Sequence, residues 1–397
     1  MRPLLEPLVT DIILHPGRDR SPRRRHPWIL SSAVARVDGE AKIGEFVRVL
    51  SAEGEVLGWG HWSRASTLCV RMVSFGKESL PEDWLETRIA EAVSRRRNHP
   101  LLRQTNALRL VNTEADGLPG LVADQYGDTL VIKLASAGMA SQRDRVADAL
   151  RTATRLDRGF ERADSVASRR EGVAPHQGAL WGAAPEGPVE IREGDRRYQV
   201  DLVSGQKTGF YLDQRDSRDL VQRLARDRRV LDLFSYTGGF AAAAARGGAS
   251  DIVAVDSSAA ALELADENVR SNAPDCRLEC VRGDAFEFLR RDSRQYDLII
   301  VDPPPLARSR RDVSRASRAY KDVVLHALKR SAAGAHLLVF ACSHHVGPDL
   351  FRKIVFGASL DAGRPVRVLG GLGAPPDHPV SLDHPEGAYL TGLWLES

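Results

Sequence analysis

The sequence predicts an α/β chain in which a doubly wound, mainly parallel sheet fills the second half, behind a small β-barrel and a connecting α+β region. Three observations predict it. From about residue 200 onward, the apolar runs RRVLDLFSY, DIVAVDSS, CRLECVRGD, YDLIIVDPP and GAHLLVFACS are separated by helical or loop sequence, as expected of strands buried on both faces of a parallel sheet. Residues 1 to about 75 instead alternate in short segments punctuated by glycine, which reads as short strands joined by tight turns. Finally, 397 residues, 43% hydrophobic and 27% charged, suffice for two or three packed domains, because one core rarely grows past ~250 residues.

Taken in order, Phe46, Val47, Val49 and Leu50 followed by Gly54, Val56 and Gly58 predict a strand, a turn and a strand within the barrel, which is placed at residues 1–75. The stretch WLETRIAEAVSRRRNHPLL carries apolar residues at helical spacing with basic residues opposite, and Pro100 marks its end. It opens a central α+β domain, residues 76–195, with strands at LVIKLAS and YQVDLV, a helix near 141 to 155, and turns at EADGLPG and APEGP. Residues 196–397 form the doubly wound domain. No internal repeat interrupts this order.

Composition excludes several classes. No stretch approaches the ~20 apolar residues of a membrane helix, and charges stand where a signal peptide would have its apolar core, so a cytoplasmic protein without a membrane partner is expected. Cys69, Cys276, Cys280 and Cys342 are too scattered for a disulfide framework or a zinc site, and no metal is expected. The net charge of +3 is too small to imply a nucleic-acid partner. Two local runs are more basic: Arg18 to His26, and ARSRRDVSRASRAYK at residues 307–321. Each reads either as a phosphate-tracking surface or as a solvated loop.

In an open α/β sheet, ligands bind beyond the carboxyl ends of the strands. The first run ends in Asp232 to Phe240, DLFSYTGGF, ahead of an alanine-rich helix. Its glycines let the backbone approach a ligand, and the helix N-terminus favours a polar or anionic end. The second run ends at Asp256, eighteen residues beyond Gly238, at the interval where a carboxylate can hold a ribose diol. That interval alone does not separate a nicotinamide dinucleotide from S-adenosylmethionine. The third ends at Asp284, placed to receive an adenine amino group, and the fourth at Asp302-Pro303-Pro304. Any one of these acids reads as a solvated strand end; three in succession point to a ligand.

The blocks KTGFYLDQR (207–215), FSYTGGF, VDPP, YKD (320–322), FACS and HPEGAYL together resemble the large-subunit ribosomal RNA cytosine-5 methyltransferase I family. HPWIL and the GLPGL turn extend the likeness over nearly the whole chain. The resemblance implies an N-terminal PUA barrel, a central α+β domain and a Rossmann-like class I methyltransferase domain using S-adenosylmethionine. It implies that Tyr211, Asp213 and Arg215 help enclose that cofactor, with Phe234, Ser235, Tyr236, Thr237, Gly238, Asp256, Ser257, Asp284, Asp302 and Pro303. The same KTGFYLDQR block also reads as a hairpin leading into a helix capped by Asp213 or Asp216. The implied partner is RNA, 23S ribosomal RNA in particular, and the chain is a possible homodimer.

Cytosine C5 is a poor nucleophile, so its methylation needs a thiolate added at C6. Cys342 ends the fifth run and would share a pocket with Asp302 if the sheet has the usual methyltransferase order. The expectation is that Cys342 is the nucleophile and Asp302 contacts the base edge. A packed, inert thiol is the alternative. His344 or His345 would lower the thiol's pKa, or lie at the surface. The target base must leave its stack, so single-stranded or locally opened RNA is expected, with Arg25 and Trp28 on flanking phosphates and a base, or Trp28 packed in the core. Where that family has a lysine after DPP, this chain has Pro305, and Arg308 is the replacement cation. A methyltransferase of another substrate and an RNA-binding protein without turnover are the competing readings.

Overall fold

The computed structural model describes residues 9–163, 165–307 and 309–397. The chain forms two compact units. The first takes in the chain up to Gly187 with Leu202–Thr208 and Asp377–Gly387; the second comprises Pro188–Asp201, Gly209–Pro376 and Ala388–Ser397. Among the described residues, no helix is long and apolar enough to cross a membrane.

In the first unit, six strands form a curled sheet in the order Trp28–Leu30, Leu68–Phe75, Val56–Trp62, Phe46–Leu50, Asp11–Leu14, Val34–Asp38. Burial alternates along Phe46–Leu50, with Val47 and Val49 inward, so one face packs on Ile12, Leu14, Val70 and Met72. A five-stranded sheet follows, in the order Gly178–Trp181, Arg158–Glu161, Thr129–Leu134, Leu121–Tyr126, Ala107–Asn112. The helices Trp84–Arg97 and Arg143–Thr154 bury Leu85, Ile89, Val146 and Leu150 in the same apolar core as that sheet's Leu110 and Ile132.

The second unit opens with a hairpin, Val189–Glu193 paired with Arg196–Val200. The boundary expected between residues 195 and 196 falls in its turn. The unit is built on seven strands: β1 (Arg229–Leu233), β2 (Asp251–Asp256), β3 (Leu278–Arg282), β4 (Tyr296–Val301), β5 (Ser331–Cys342), β6 (Arg367–Leu372) and β7 (Leu390–Glu396). Their order is β3-β2-β1-β4-β5-β7-β6. All neighbours are parallel except those of β7. The helices are α1 (Arg215–Leu224), α2 (Gly239–Arg246), α3 (Ala259–Asn272), α4 (Ala285–Arg291), α5 (Val313–Lys329) and α6 (Pro348–Ala362).

Three strands differ from the sequence reading. The CRLECVRGD run becomes β3, but it lies at the sheet edge and is mostly exposed, because an edge strand has a neighbour on one side only. β6 and β7 were not among the apolar runs: glycines interrupt RVLGGL, and LTGLWLE mixes buried and partly exposed positions. β7 enters the sheet antiparallel between β5 and β6.

Candidate active site

The strand order reverses between β1 and β4, and such a switch point opens a crevice at the carboxyl ends of the strands. Register brings the polar ends to this rim. Leu233 of β1 lies beside Val255 of β2 and Val301 of β4, and Val301 lies beside Val339 of β5. The next residues are Phe234, Asp256 and Asp302, and Cys342 ends β5.

The loop after β1 is wound tightly. Phe234, Tyr236 and Gly238 all have positive φ, at 60°, 49° and 71°, and left-handed backbone at two non-glycine residues marks a constrained loop. The carboxylate of Asp256 holds the turn in place, accepting the N–H of Tyr236 at 2.8 Å and that of Ser258 at 2.9 Å. Gly238 is required on two counts, its φ and its contact with α3: a Cβ there would lie 2.8 Å from Ala265 Cβ and 2.9 Å from Ala265 Cα. The residues behind it, Gly239 to Ala245, are all buried; small side chains let α2 lie close to its neighbours.

Several polar groups here lack partners within the described chain. Ser235 Oγ, Thr237 Oγ1 and Asp232 Oδ1 are buried without a hydrogen bond. The other oxygen of Asp232 accepts the Ala241 N–H at 3.0 Å. Burial pushes Asp232 up to about 8, the nearby Asp302 and Asp256 adding to the shift and the Ala241 N–H opposing it.

The KTGFYLDQR segment passes into a 3₁₀ turn, Leu212–Gln214, and then α1. Neither Asp213 nor Asp216 caps α1: Gln214 takes the cap position, without a side-chain bond. Asp213 is drawn instead to Tyr389, whose hydroxyl donates to it at 2.6 Å. Tyr211 sets its ring edge-on to Tyr236, with centroids 5.7 Å apart. Arg215 is buried, its guanidinium 3.9 Å from Glu193. Ser257 and Asp284 are exposed; Asp284 caps α4 through the Glu287 N–H, at 2.9 Å. Pro303 is buried.

At the meeting of β4 and β5, the Cys342 thiol donates to Asp302 Oδ1 at 3.4 Å. Gln214 donates its amide hydrogen to Asp302 Oδ2 at 3.0 Å. Gln214 and Tyr389 were not singled out from sequence, although both stand within the quoted blocks KTGFYLDQR and HPEGAYL. The rings of His344 and His345 lie 3.7 Å apart. Arg308 lies outside the described residues.

The two remaining candidates stand in the first unit. Arg25 is exposed, 3.6 Å from Asp383. Trp28 is half-buried; its indole N–H donates to Glu114 at 2.9 Å and its ring packs edge-on to His384, centroids 4.5 Å apart. Arg25, Arg88, Glu114, Asp383 and His384 line a cavity of about 650 Å³.

Residues 163–381 match the family of S-adenosylmethionine-dependent methyltransferases, and residues 12–75 match a PUA-like domain. Over 394 residues the chain is 40% identical to ribosomal RNA large subunit methyltransferase I of Alteromonas mediterranea, covering 98% of this chain and 99% of that protein. The chain belongs to the ribosomal RNA large subunit methyltransferase I family. The Salmonella typhi member is 39% identical over 392 residues, 98% of this chain and 97% of that one. Among solved structures, a SAM-dependent methyltransferase from Streptococcus mutans shares the fold at a TM-score of 0.81 and 22% identity, covering 98% of this chain and all of that one. A methyltransferase complexed with SAH shares it at 0.82 and 23%, with the same coverage.

S-adenosylmethionine is the cofactor of this family member, and the residues at the rim fit it. Buried hydroxyls on Ser235 and Thr237 and the unpaired oxygen of Asp232 suit a ligand with a polar amino-acid end. Asp256 retains acceptor capacity for a diol after its two backbone bonds, since a carboxylate has about four lone-pair sites.

Proposed function

We propose that this protein methylates C5 of a cytosine in large-subunit ribosomal RNA, 23S RNA in the bacterial sense, through a transient covalent bond to Cys342. The observation that supports this reading most directly is the 3.4 Å contact between the Cys342 thiol and Asp302 at the ends of adjacent parallel strands. The ribosomal RNA large subunit methyltransferases that the chain matches over nearly its full length supply the substrate class.

Bound S-adenosylmethionine supplies an electrophilic methyl group, and the residues of this chain prepare the base to receive it. Asp302 takes the thiol proton, and the Cys342 sulfur adds to C6. The C5–C6 π electrons move toward N3, which takes the proton from Asp302, so the ring becomes an enamine nucleophilic at C5. Once C5 is methylated, a water acting as base takes the C5 hydrogen as a proton, the C–H electron pair re-forms the C5=C6 double bond, and the C6–S bond breaks to release the sulfur as thiolate. N3 then gives up its proton, so thiol, carboxylate and aromatic ring return to their starting states.

Tyr211, Asp213, Phe234 to Gly238, Asp256, Ser257, Asp284 and Pro303 enclose the cofactor in this reading. Arg215 acts with them from its buried place beside Glu193. Residues 196–397 carry the chemistry, while residues 1–75 and 76–195 hold RNA, with Arg25 at the rim of its cavity and Trp28 shaping the wall behind it. Arg308 is proposed as the cation where Pro305 replaces a lysine. The test is incubation with methyl-labelled cofactor and ribosomal RNA from a strain lacking the gene, followed by mass mapping. One new 5-methylcytosine in large-subunit RNA is expected; labelled RNA without methylcytosine overturns the proposal.

A further inference from the structure

Gln214 stands at the site with one end in use. It is 1% exposed, seated in the 3₁₀ turn by its own N–H, which donates to the Tyr211 carbonyl at 3.1 Å. Its side-chain nitrogen donates to Asp302 Oδ2 at 3.0 Å, while Asp302 Oδ1 accepts the Cys342 thiol at 3.4 Å. A single carboxylate is therefore held from both sides.

The carboxylate also decides which way the amide faces. An ionised carboxylate only accepts hydrogen bonds, so the NH₂ end of Gln214 must turn toward Asp302 and the carbonyl end must turn away. That carbonyl oxygen, Oε1, is buried and has no hydrogen-bond partner within the described chain. Buried acceptors are nearly always satisfied, so this oxygen is free to take a donor from a water or a bound ligand. Its place beside Asp302, at the carboxyl end of β4, is where a doubly wound sheet receives its ligands.

We propose that Gln214 is a specificity-determining residue: its nitrogen orients Asp302 toward Cys342, and its oxygen accepts a hydrogen from the exocyclic amine of the target base. Cytosine offers that amine at C4, whereas uracil offers a carbonyl oxygen, which would face Oε1 as a second acceptor. A site built to bond a group rejects an analogue lacking it far more strongly than a merely shaped pocket does. The inference rests on the cytosine reading above. The cofactor's amino-acid ammonium is the other donor that Oε1 could accept, and the test separates the two.

The test starts from a short transcript carrying the mapped site with either cytosine or uracil at the target position. For Gln214→Met, which keeps length and removes both polar ends, the ratio of kcat/KM for cytosine over uracil is expected to fall by about 10–100-fold, while calorimetric affinity for SAH stays within about threefold. Gln214→Glu keeps an acceptor and nearly the same shape. It should retain base discrimination, lose activity near neutral pH where two carboxylates face each other, and recover as acidification lets them share a proton. An unchanged cytosine-to-uracil ratio in the Met variant, or SAH affinity weakened tenfold or more, overturns the proposal. Absence of methylcytosine from the parent enzyme's product sinks the underlying reading first, and is seen before any variant is made.

Discussion

At the scale of single residues, Cys342 and Asp232 bear the clearest consequences. Cys342→Ala removes the atom that would add to C6 without altering the loop after β1. Methyl transfer should drop by at least ~10³-fold, with SAH binding by calorimetry unchanged; an active variant would mean a substrate atom nucleophilic enough to need no thiol. Asp232 differs in kind, because its chemistry is thermodynamic. Its folded value of about 8 stands above its ordinary 3.8, so the folded chain holds this proton across the window between them. The stability it contributes as a neutral acid is complete below about pH 3.8 and is lost as the pH rises through about 8. Asp232→Asn keeps an oxygen for the Ala241 N–H and never ionises. Its melting temperature relative to the parent should therefore climb as pH rises from 5 to 9, read by scanning calorimetry; a constant offset would contradict the raised value. Asp256, Asp302 and Cys342 were legible as candidates because each ends an apolar run. Gln214 was not, since nothing in its spacing shows that its amide reaches a carboxylate 88 positions later.

Among elements, the turn between β1 and α2 is the most demanding. It combines two left-handed non-glycine residues with a glycine against α3. Gly238→Ala adds about 1–2 kcal/mol for a left-handed alanine and about 1–3 kcal/mol for forcing a methyl onto the Ala265 backbone. The variant should unfold at lower urea and lose SAH affinity together; full affinity would show that the turn tolerates the shift. The glycine pair announced this turn in the sequence, but the positive φ at Phe234 and Tyr236 did not, because the Asp256 carboxylate that accepts the Tyr236 N–H comes from another strand. β6 and β7 were hidden for a related reason. Their sequences carry glycine and polar positions that only pairing with β5 and with each other makes into strands.

For the whole molecule, the candidate cofactor residues all stand in one compact unit, whose chain is interrupted by Leu202–Thr208 and Asp377–Gly387 of the other. A ligand that binds only the folded form stabilises it by about 2.7 kcal/mol at one hundred times its Kd. SAH at that excess should slow hydrogen exchange at residues 232–241 and along the ends of β2 and β4, and leave residues 12–75 unchanged. Equal protection of residues 12–75 would place the ligand elsewhere. The sequence alone determined the class of each half, because hydrophobic period and turn chemistry are local properties that survive in a string of letters, and the family, because its motif blocks stand in order along the chain. Only the tertiary structure decided that Cys342 and Gln214 grip opposite oxygens of Asp302, that Tyr389 holds Asp213, and that Trp28 is spoken for by Glu114 and His384. Each of those contacts joins residues far apart in the chain, and strand order and register, not sequence spacing, set the few ångströms between them.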